Sequence, residues 1–230
     1  MNVALLTAAG KGTRMQTEIP KQFIHINNKP VILYTMEAFQ RHPQIDAIIV
    51  VTIDTWKDMI WAYARQYHID KLKWVVTGGN SGQESIKNGL DALNQDCRSD
   101  TVVMIHDGNR PLISDEIISD SLATYNKYGS AVAAIPCIEA IYKSDDGEKS
   151  IHTLDRQKMF RTQTPHTYPL SKLLWAHEQA KERKIINTTA TCTLMTILGE
   201  TIYFSRGAEK NIKLTTKEDV EIFEALVRDI

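Results

Sequence analysis

Short apolar runs alternate with stretches of helical pattern along most of the chain, and this alternation constrains the fold more than any other feature. The runs are residues 3–6, 47–52, 73–76, 101–105, 131–135 and 201–204. The helical stretches are residues 30–39, 53–67, 83–93, 114–128 and the tail from Thr216. Because strands that alternate with crossover helices form parallel sheets covered on both faces, we predict an α/β fold with a mostly parallel sheet.

The chain length predicts one folding unit. A sequence of 230 residues that is 43% hydrophobic is normal for one α/β domain with a sizeable core. The sequence contains no internal repeat and no linker rich in Pro, Gly or Ser, so we predict that residues 1–230 form a single domain. The polar run SDDGEKS interrupts the alternation, and we interpret residues 137–161 as an arm that projects from the sheet.

Charge and cysteine content narrow the partners and the compartment. The formal net charge of -1 gives no general attraction to nucleic acid or to an anionic membrane. Cys97, Cys137 and Cys192 form no CxxC pair, which favours reduced thiols in the cytoplasm over a disulfide framework or a zinc site. No basic leader precedes the first apolar run and no run approaches membrane length, so we expect neither export nor insertion.

A glycine-containing loop follows the first apolar run and suggests phosphate binding. The run leads into AAGKGTRM and then, after a short spacer, into PKQF. Gly10 and Gly12 let the backbone approach a bulky anion, whose oxygens the exposed N–H groups can bind. Arg14 and Lys21 supply the positive charge that a triphosphate requires. The loop matches neither the Rossmann fingerprint nor the P-loop, and a simple tight turn is the alternative.

These motifs resemble the signature of the cytidylyltransferases that act on methylerythritol phosphate and ribitol phosphate. The resemblance continues in order through VTGGNSGQESIKNGL, MIHDGNRPLI, RTQTPHTY and NIKLTTKEDV, and so spans nearly the whole length. It implies a Rossmann-like nucleotidyltransferase with a three-layer sandwich, whose arm makes a homodimer with shared active sites. It also implies an enzyme that joins the CMP part of CTP to a small polyol phosphate and releases pyrophosphate.

The resemblance assigns roles to residues from distant parts of the chain. Residues expected to bind the nucleotide come from two glycine-containing loops: Ala8, Ala9, Gly10, Gly12, Gly78, Gly79, Asn80 and Ser85. Residues expected to neutralise phosphate charge during catalysis are Arg14, Lys21 and Lys213. Residues expected to bind the second substrate, the acceptor, are Asn109, Arg110, Arg156, Thr164 and Thr189, with Arg156 reaching a neighbouring subunit's site.

A metal ligand is predicted where an apolar strand ends. Asp107 follows the run at residues 101–105, at the edge where open parallel sheets place ligand-binding groups. A carboxylate there can hold Mg²⁺, which would bridge triphosphate oxygens and offset charge as the acceptor approaches. We therefore predict Mg²⁺ as the cofactor and Asp107 as its ligand, with a polar turn capped by Asp107 as the alternative.

The sequence departs from the family pattern near both substrates. Asn80 replaces an acidic residue and Gly82 replaces an arginine, so UTP stays open as an alternative to CTP. Gly108 and Asn109 stand where the family usually has two small apolar residues, and Asn109 could contact a hydroxyl group that relatives do not meet. Ala190 replaces an aspartate and indicates an altered pocket.

The choice of acceptor is the least constrained part of the interpretation. We favour an alditol phosphate such as ribitol 5-phosphate, used for a wall or capsule polymer. Methylerythritol phosphate of isoprenoid synthesis is the first alternative. A sugar-phosphate nucleotidylyltransferase that uses UTP or GTP, and a nucleotide-binding protein without activity, are readings from other classes.

Overall fold

The computed structural model describes residues 1–10 and 19–228. Its strands are β1 (Asn2–Ala8), β2 (His25–Ile26), β3 (Lys29–Pro30), β4 (Ala47–Thr52), β5 (Leu72–Thr77), β6 (Val102–Asp107), β7 (Ala131–Pro136), β8 (Ile141–Lys143), β9 (His152–Leu154), β10 (Phe160–Pro169) and β11 (Phe204–Arg206). Its α-helices are α1 (Val31–Arg41), α2 (Lys57–Gln66), α3 (Gly82–Asp96), α4 (Asp115–Tyr128), α5 (Leu170–Glu182), α6 (Thr191–Ile197) and α7 (Lys217–Leu226).

A seven-stranded sheet forms the centre of the molecule, with the strand order β11-β7-β10-β6-β1-β4-β5. Neighbouring strands are parallel, except that β10 runs antiparallel to both β6 and β7. The prediction of a mostly parallel, Rossmann-like α/β sheet is therefore confirmed. Parallel strands end at the same edge, so the carboxyl ends of β1, β4, β5 and β6 lie together.

Helices cover the sheet on both faces because successive side chains of a strand point in opposite directions. On one face Ala4 and Leu6 of β1 pack in a cluster with α1, α2 and α4. On the other face Val3 and Leu5 pack with α3, α5 and α6. All four side chains are fully buried, which is why the first strand reads as one continuous apolar run. The expected three-layer arrangement follows from this burial.

The structure adds elements that the alternation of apolar runs did not predict. β10 carries polar residues such as Thr162, Gln163 and Thr164, which hide its strand character, and α5 and α6 follow it without a preceding turn signal. The last strand was predicted at residues 201–204 but forms at Phe204–Arg206, because Phe204 is the first residue to pair with β7. The helix predicted at residues 53–67 is a short 3-10 turn, Asp54–Trp56, followed by α2.

A small hairpin lies within the predicted arm. β8 and β9 pair antiparallel, and the polar turn between them is the SDDGEKS segment. Several large apolar side chains of this region are exposed: Ile138, Tyr142, Ile151 and Leu154. The arm leads directly into β10, which returns to the centre of the sheet between β6 and β7.

The carboxyl-terminal segment packs against residues from the amino-terminal part of the chain. Leu214 is fully buried in a cluster with Ile26, Val31 and Phe223. Thr216 caps α7, since its hydroxyl oxygen accepts from the backbone N–H of Asp219 while the carboxylate of Asp219 accepts from the N–H of Thr216. This anchoring fixes the position of residues 211–215. Within the described part of the chain, none of the helices is long and apolar enough to cross a membrane.

Candidate active site

A cavity of about 680 Å³ opens at the carboxyl ends of the parallel strands. The sequence-predicted residues that line it are Ala8, Ala9, Gly10, Lys21, Gly79, Asn80, Ser85, Asp107, Asn109, Arg110, Thr164, Thr189 and Lys213. The structure therefore brings together side chains that are separated by most of the chain length. Gly78 and Arg156 are not among the described residues that line the cavity, while Gly12 and Arg14 fall outside the described residues.

The first glycine-containing loop is held by a glutamine that the sequence analysis passed over. Gln22 is 2% exposed, and its side-chain amide donates to the carbonyl oxygens of Ala8 and Gly10, the latter at 3.2 Å. Because Gln22 follows Lys21, this anchor also fixes where Lys21 enters the cavity. The signal was present in the PKQ motif, but it was interpreted only through its lysine.

The second glycine-containing loop packs closely against the first. A Cβ atom added at Gly78 would lie 2.3 Å from the Cβ of Ala9, so any side chain at this position would push the two loops apart. The hydroxyl oxygen of Ser85 accepts from the N–H of Gly79 at 3.0 Å and donates to the carbonyl of Ser81 at 2.8 Å. In this structure Ser85 therefore shapes the loop, and its hydroxyl proton is already used.

Three ionic side chains form a cluster at the end of β6, where Asp107 pairs in register with Thr7 of β1. The Lys213 ammonium lies 2.8 Å from one carboxylate oxygen of Asp107, and the Arg110 Nε atom lies 3.0 Å from the other. Burial opposes ionisation of Asp107, yet the two cations outweigh it and hold the pKa of this carboxyl well below its usual range. One carboxylate facing two cations leaves net positive charge, which suits a phosphate-binding site.

Backbone contacts clamp the segment of Lys213 onto the segment of Asp107. Arg110 donates from Nη1 to the carbonyl of Asn211 at 2.7 Å. Asn109 is 5% exposed, and its side-chain amide donates to the carbonyl of Leu214. Its backbone carbonyl accepts from the N–H of Leu214 at 2.9 Å. The amide that we expected to reach an acceptor hydroxyl is thus engaged in positioning residues 211–214.

His106 and Thr164 form the floor of the cluster. The ring of His106 is fully buried, and burial lowers its pKa to about 4. Its Nε2 atom lies 3.2 Å from the carbonyl of Arg110 and its Nδ1 atom lies 3.1 Å from the hydroxyl of Thr164. The same hydroxyl lies 3.1 Å from the N–H of Asp107. The sequence analysis assigned no role to His106, and these contacts link it to the cluster.

A further wall of the cavity is fastened by another glutamine without a sequence signal. Gln83, in the first turn of α3, donates to the carbonyl of Ile185 at 2.9 Å and accepts from both the N–H and the hydroxyl of Thr188 at 3.0 Å. This contact ties residues 185–189 to the second glycine loop. Thr189 lies in the wall so held, with its hydroxyl 3.2 Å from that of Thr193.

The donor atoms at the cavity suit an ion that is shared with a phosphate ligand. Asp107 is the one acidic side chain among the described residues that line the cavity. No group of three His, Cys, Asp or Glu side chains in the described ranges could hold a metal by itself. Mg²⁺ commonly takes one or two carboxylates and completes its shell with phosphate oxygens and water. The site therefore fits Mg²⁺ that a triphosphate also coordinates.

Comparisons with known proteins match the chain over nearly its whole length to one group of enzymes. The family model described as 2-C-methyl-D-erythritol 4-phosphate cytidylyltransferase (IspD) matches residues 2–229. A ribitol-5-phosphate cytidylyltransferase of Lacticaseibacillus paracasei is 41% identical over 100% of this chain and 99% of its own length. One of Vibrio parahaemolyticus is 40% identical over 99% of this chain and 96% of its own length. The crystal structure of 4-diphosphocytidyl-2C-methyl-D-erythritol synthase from Anaerococcus prevotii has a TM-score of 0.84 and 25% identity, covering 99% of this chain and 96% of that one.

Proposed function

The chain belongs to the IspD family and is a CTP-dependent cytidylyltransferase, and from that premise we propose that its acceptor is ribitol 5-phosphate. The enzyme transfers CMP from CTP to the acceptor phosphate and releases pyrophosphate. The product, an activated polyol, suits the synthesis of a wall or capsule polymer. The reaction takes place in the cytoplasm, where CTP is available.

One observation supports a site for CTP and a phosphorylated acceptor together: both glycine-containing loops and the Asp107, Arg110 and Lys213 cluster line a single cavity. The first loop brings its backbone to the cavity at Gly10, and the second forms a wall at Gly79 and Asn80, whose N–H groups are held by Ser85 and Glu84. The cluster supplies the cations that a second phosphate needs if it is to approach a triphosphate. A site that must bind two phosphorylated molecules at once requires this combination.

Charge neutralisation and alignment supply the catalysis in this mechanism. An oxygen of the acceptor phosphate attacks the α-phosphorus of CTP and forms the new P–O bond. The bond from the α-phosphorus to the bridging oxygen breaks, and pyrophosphate leaves with its electron pair. A phosphate monoester is already anionic at neutral pH, so no side chain has to remove a proton. Lys21 and Lys213 offset the repulsion, and Arg110 orients the acceptor phosphate.

We propose that Asp107 would hold Mg²⁺, which would offset negative charge on the phosphates. Asp107 also holds Lys213 and Arg110 in place through its two oxygens. Arg14 is proposed to assist on the triphosphate, from the sequence motif alone. Ser85 and Asn80 are proposed to shape the base site, because their loop is closed by the contacts of Gly79 with Ser85 and of Asn80 with Glu84.

A homodimer is part of the proposal. Arg156 is exposed on the arm and contacts the carbonyl of Ile138, which is also on the arm. The arm exposes large apolar side chains, including Tyr142 at 62% and Ile151 at 92%. Apolar surface of this kind is typical of a surface that packs against another molecule. We propose that the arm packs against a second copy and carries Arg156 to that copy's acceptor site.

Methylerythritol phosphate is the second candidate acceptor. The family description and the solved structure named above support it. The ribitol phosphate proposal is preferred because the relatives at 40–41% identity over nearly the whole chain bear that name. The departures at Gly108, Asn109 and Ala190 leave neither acceptor favoured by the pocket residues alone.

Pyrophosphate release tests the function. The purified protein is mixed with CTP, UTP or GTP and, in turn, ribitol 5-phosphate, methylerythritol phosphate, glycerol phosphate or arabinitol phosphate. We expect kcat/KM for CTP with ribitol 5-phosphate to exceed every other pair by at least about tenfold. A higher value with methylerythritol phosphate would replace the acceptor. Release with no pair, when an Asp107→Ala control is equally inactive, would favour a binding protein.

A further inference from the structure

The hydrogen-bonding pattern around His106 determines which way the hydroxyl proton of Thr164 points. The carbonyl of Arg110 can only accept a hydrogen bond, so the His106 Nε2 atom 3.2 Å away must carry a proton. The ring is fully buried and packs edge-on against Phe39 at 5.3 Å, surroundings in which an imidazole is neutral. A neutral ring carries one proton, so Nδ1 is a bare acceptor.

Thr164 therefore donates its only proton to His106. The distance from its hydroxyl oxygen to Nδ1 is 3.1 Å. The other acceptor in reach, a carboxylate oxygen of Asp107, lies 3.5 Å away and already receives Arg110 Nε. A hydroxyl hydrogen bond to a carboxylate is normally shorter than about 3.0 Å, so His106 is the better partner.

One lone pair of Thr164 is left for a ligand. A hydroxyl group has one proton and two lone pairs. The proton goes to His106, and one lone pair accepts the N–H of Asp107 at 3.1 Å. Thr164 lines the cavity, so its remaining lone pair is available to a bound molecule. Such a group can accept a hydrogen bond but cannot donate one.

We propose that His106 is a positioning residue that makes Thr164 an obligate hydrogen-bond acceptor, and that Thr164 binds a hydroxyl group of the acceptor's polyol chain rather than its phosphate. An ionised phosphate offers only acceptor oxygens, which the lone pair of Thr164 would repel. A polyol chain offers O–H donors. Arg110 and Lys213 remain for the phosphate, so phosphate and polyol chain are recognised by different sides of the cluster. This inference rests on the proposed function for the identity of the acceptor.

The proton position on His106 can be measured without any substrate. Protein labelled with ¹⁵N at histidine reports each ring nitrogen separately, and the His106 signals are assigned by their loss in His106→Asn. We expect a protonated Nε2 and an unprotonated Nδ1 at neutral pH. A proton on Nδ1 would free the Thr164 proton for a phosphate and would overturn the proposal.

The recognition of a hydroxyl group is tested with acceptors that lack one hydroxyl at a time. Against the series of monodeoxy ribitol 5-phosphates, the wild-type enzyme should lose about tenfold in kcat/KM for the analogue that lacks the recognised group. Thr164→Val should lower kcat/KM for ribitol 5-phosphate by about tenfold. Removal of the recognised hydroxyl from the acceptor should then cause no further loss in this variant. Thr164→Ser, which keeps the hydroxyl, is the matched control and should retain the wild-type pattern.

Two substitutions separate the halves of the His106 contact. His106→Asn can offer an acceptor at the place of Nδ1, and His106→Gln can offer a donor at the place of Nε2. We expect His106→Asn to keep the discrimination against the deoxy analogue, and His106→Gln to lose it, with little change in KM for CTP in either variant. Equal discrimination in the Asn and Gln variants would contradict a role through Thr164.

The failure of this inference differs from the failure of the proposed function. If the wild-type enzyme releases no pyrophosphate with ribitol 5-phosphate, the proposed acceptor is wrong, and the ring nitrogens still report on His106. If ribitol 5-phosphate is used but Thr164→Val lowers kcat/KM by one constant factor for every acceptor, the acceptor stands and the hydroxyl contact is wrong.

Discussion

Arg110 and Arg156 were both expected to bind the acceptor, yet the structure holds them in opposite ways. Arg110 has a side chain that is 12% exposed, and it is fixed by Asp107 and by the carbonyl of Asn211. Arg156 is exposed on the arm, and the one described hydrogen bond of its side chain goes to the carbonyl of Ile138. The first arginine is prearranged within one chain, whereas the second has no ligand-binding surroundings of its own.

This difference between Arg110 and Arg156 indicates which parts of the active site one chain positions by itself. Long-range contacts position the cluster at the end of β6, so its geometry exists before any substrate binds. In the arm, β8 pairs with β9 and Arg156 contacts Ile138, so these contacts join residues of the arm itself. Large apolar side chains of the arm, such as Ile151, are exposed. The cluster and the arm should therefore respond differently to substitution, to mixing of subunits and to changes in substrate.

The largest effect is expected at the cluster itself. Lys213→Ala should lower kcat by about 10²–10³, because an ammonium that offsets transition-state charge is lost. Steady-state pyrophosphate release measures this. Lys210→Ala, an exposed lysine of the same segment, is the control and should be near wild type. Equal activity of both variants would mean that Lys213 is not part of the active site. The proposed difference between the cluster and the arm would then be wrong.

Lys21→Ala should lower kcat by about a hundredfold without unfolding the protein, since Lys21 lines the cavity beside the loop that Gln22 anchors. Circular dichroism and pyrophosphate release together separate folding from catalysis. Lys73→Ala, which removes an exposed lysine of β5, provides the comparison. A near-normal rate for Lys21→Ala would mean that the prearranged part of the site is smaller than we infer.

Arg156→Ala should lower kcat/KM for the acceptor by about tenfold if a second copy supplies this residue. Mixing it with Lys21→Ala should restore about a quarter of the wild-type activity, because half of randomly formed dimers are hybrids with one intact site. Lys158→Ala, in the same exposed turn, should have little effect. Mixing without recovery would count against sites shared between subunits.

Gln83→Glu should have the smallest effect, raising the KM for the acceptor about threefold to tenfold. A glutamate can still accept both hydrogen bonds from Thr188 but cannot donate to the carbonyl of Ile185, so the wall loses one of its three contacts with residue 83. Gln95→Glu makes the same change at an exposed position of α3. If both substitutions change the KM for the acceptor equally, the contacts of Gln83 do not position this wall for substrate binding.

The sequence predicted the frame of the fold because burial on both faces leaves a readable pattern. β1 and β4 are buried throughout or nearly so, and their apolar runs were found close to their observed bounds. β10 escaped because polar residues that face the cavity, such as Thr164, interrupt its pattern. A strand that serves the site thus reads as a loop motif.

The site was predicted in composition but not in its internal contacts. Asp107 and Lys213 were named from their motifs, and the structure places them 2.8 Å apart. Propensity and spacing could not show that Asn109 is turned toward Leu214, since that contact joins residues 105 positions apart. The same holds for Gln22 and Gln83, whose single amides bridge segments that only the folded chain brings together.

The position of β10 gives the arm mechanical access to the acceptor site. The strand begins at Phe160, in the last two residues of the arm, and within a few residues it reaches Thr162 and Thr164 in the cavity wall. The end of the arm and this part of the cavity wall therefore belong to one strand. In the homodimer proposed above, packing of a second copy against the arm would reach the pocket through this strand, and divergence at the arm would retune substrate choice without any change inside the cavity.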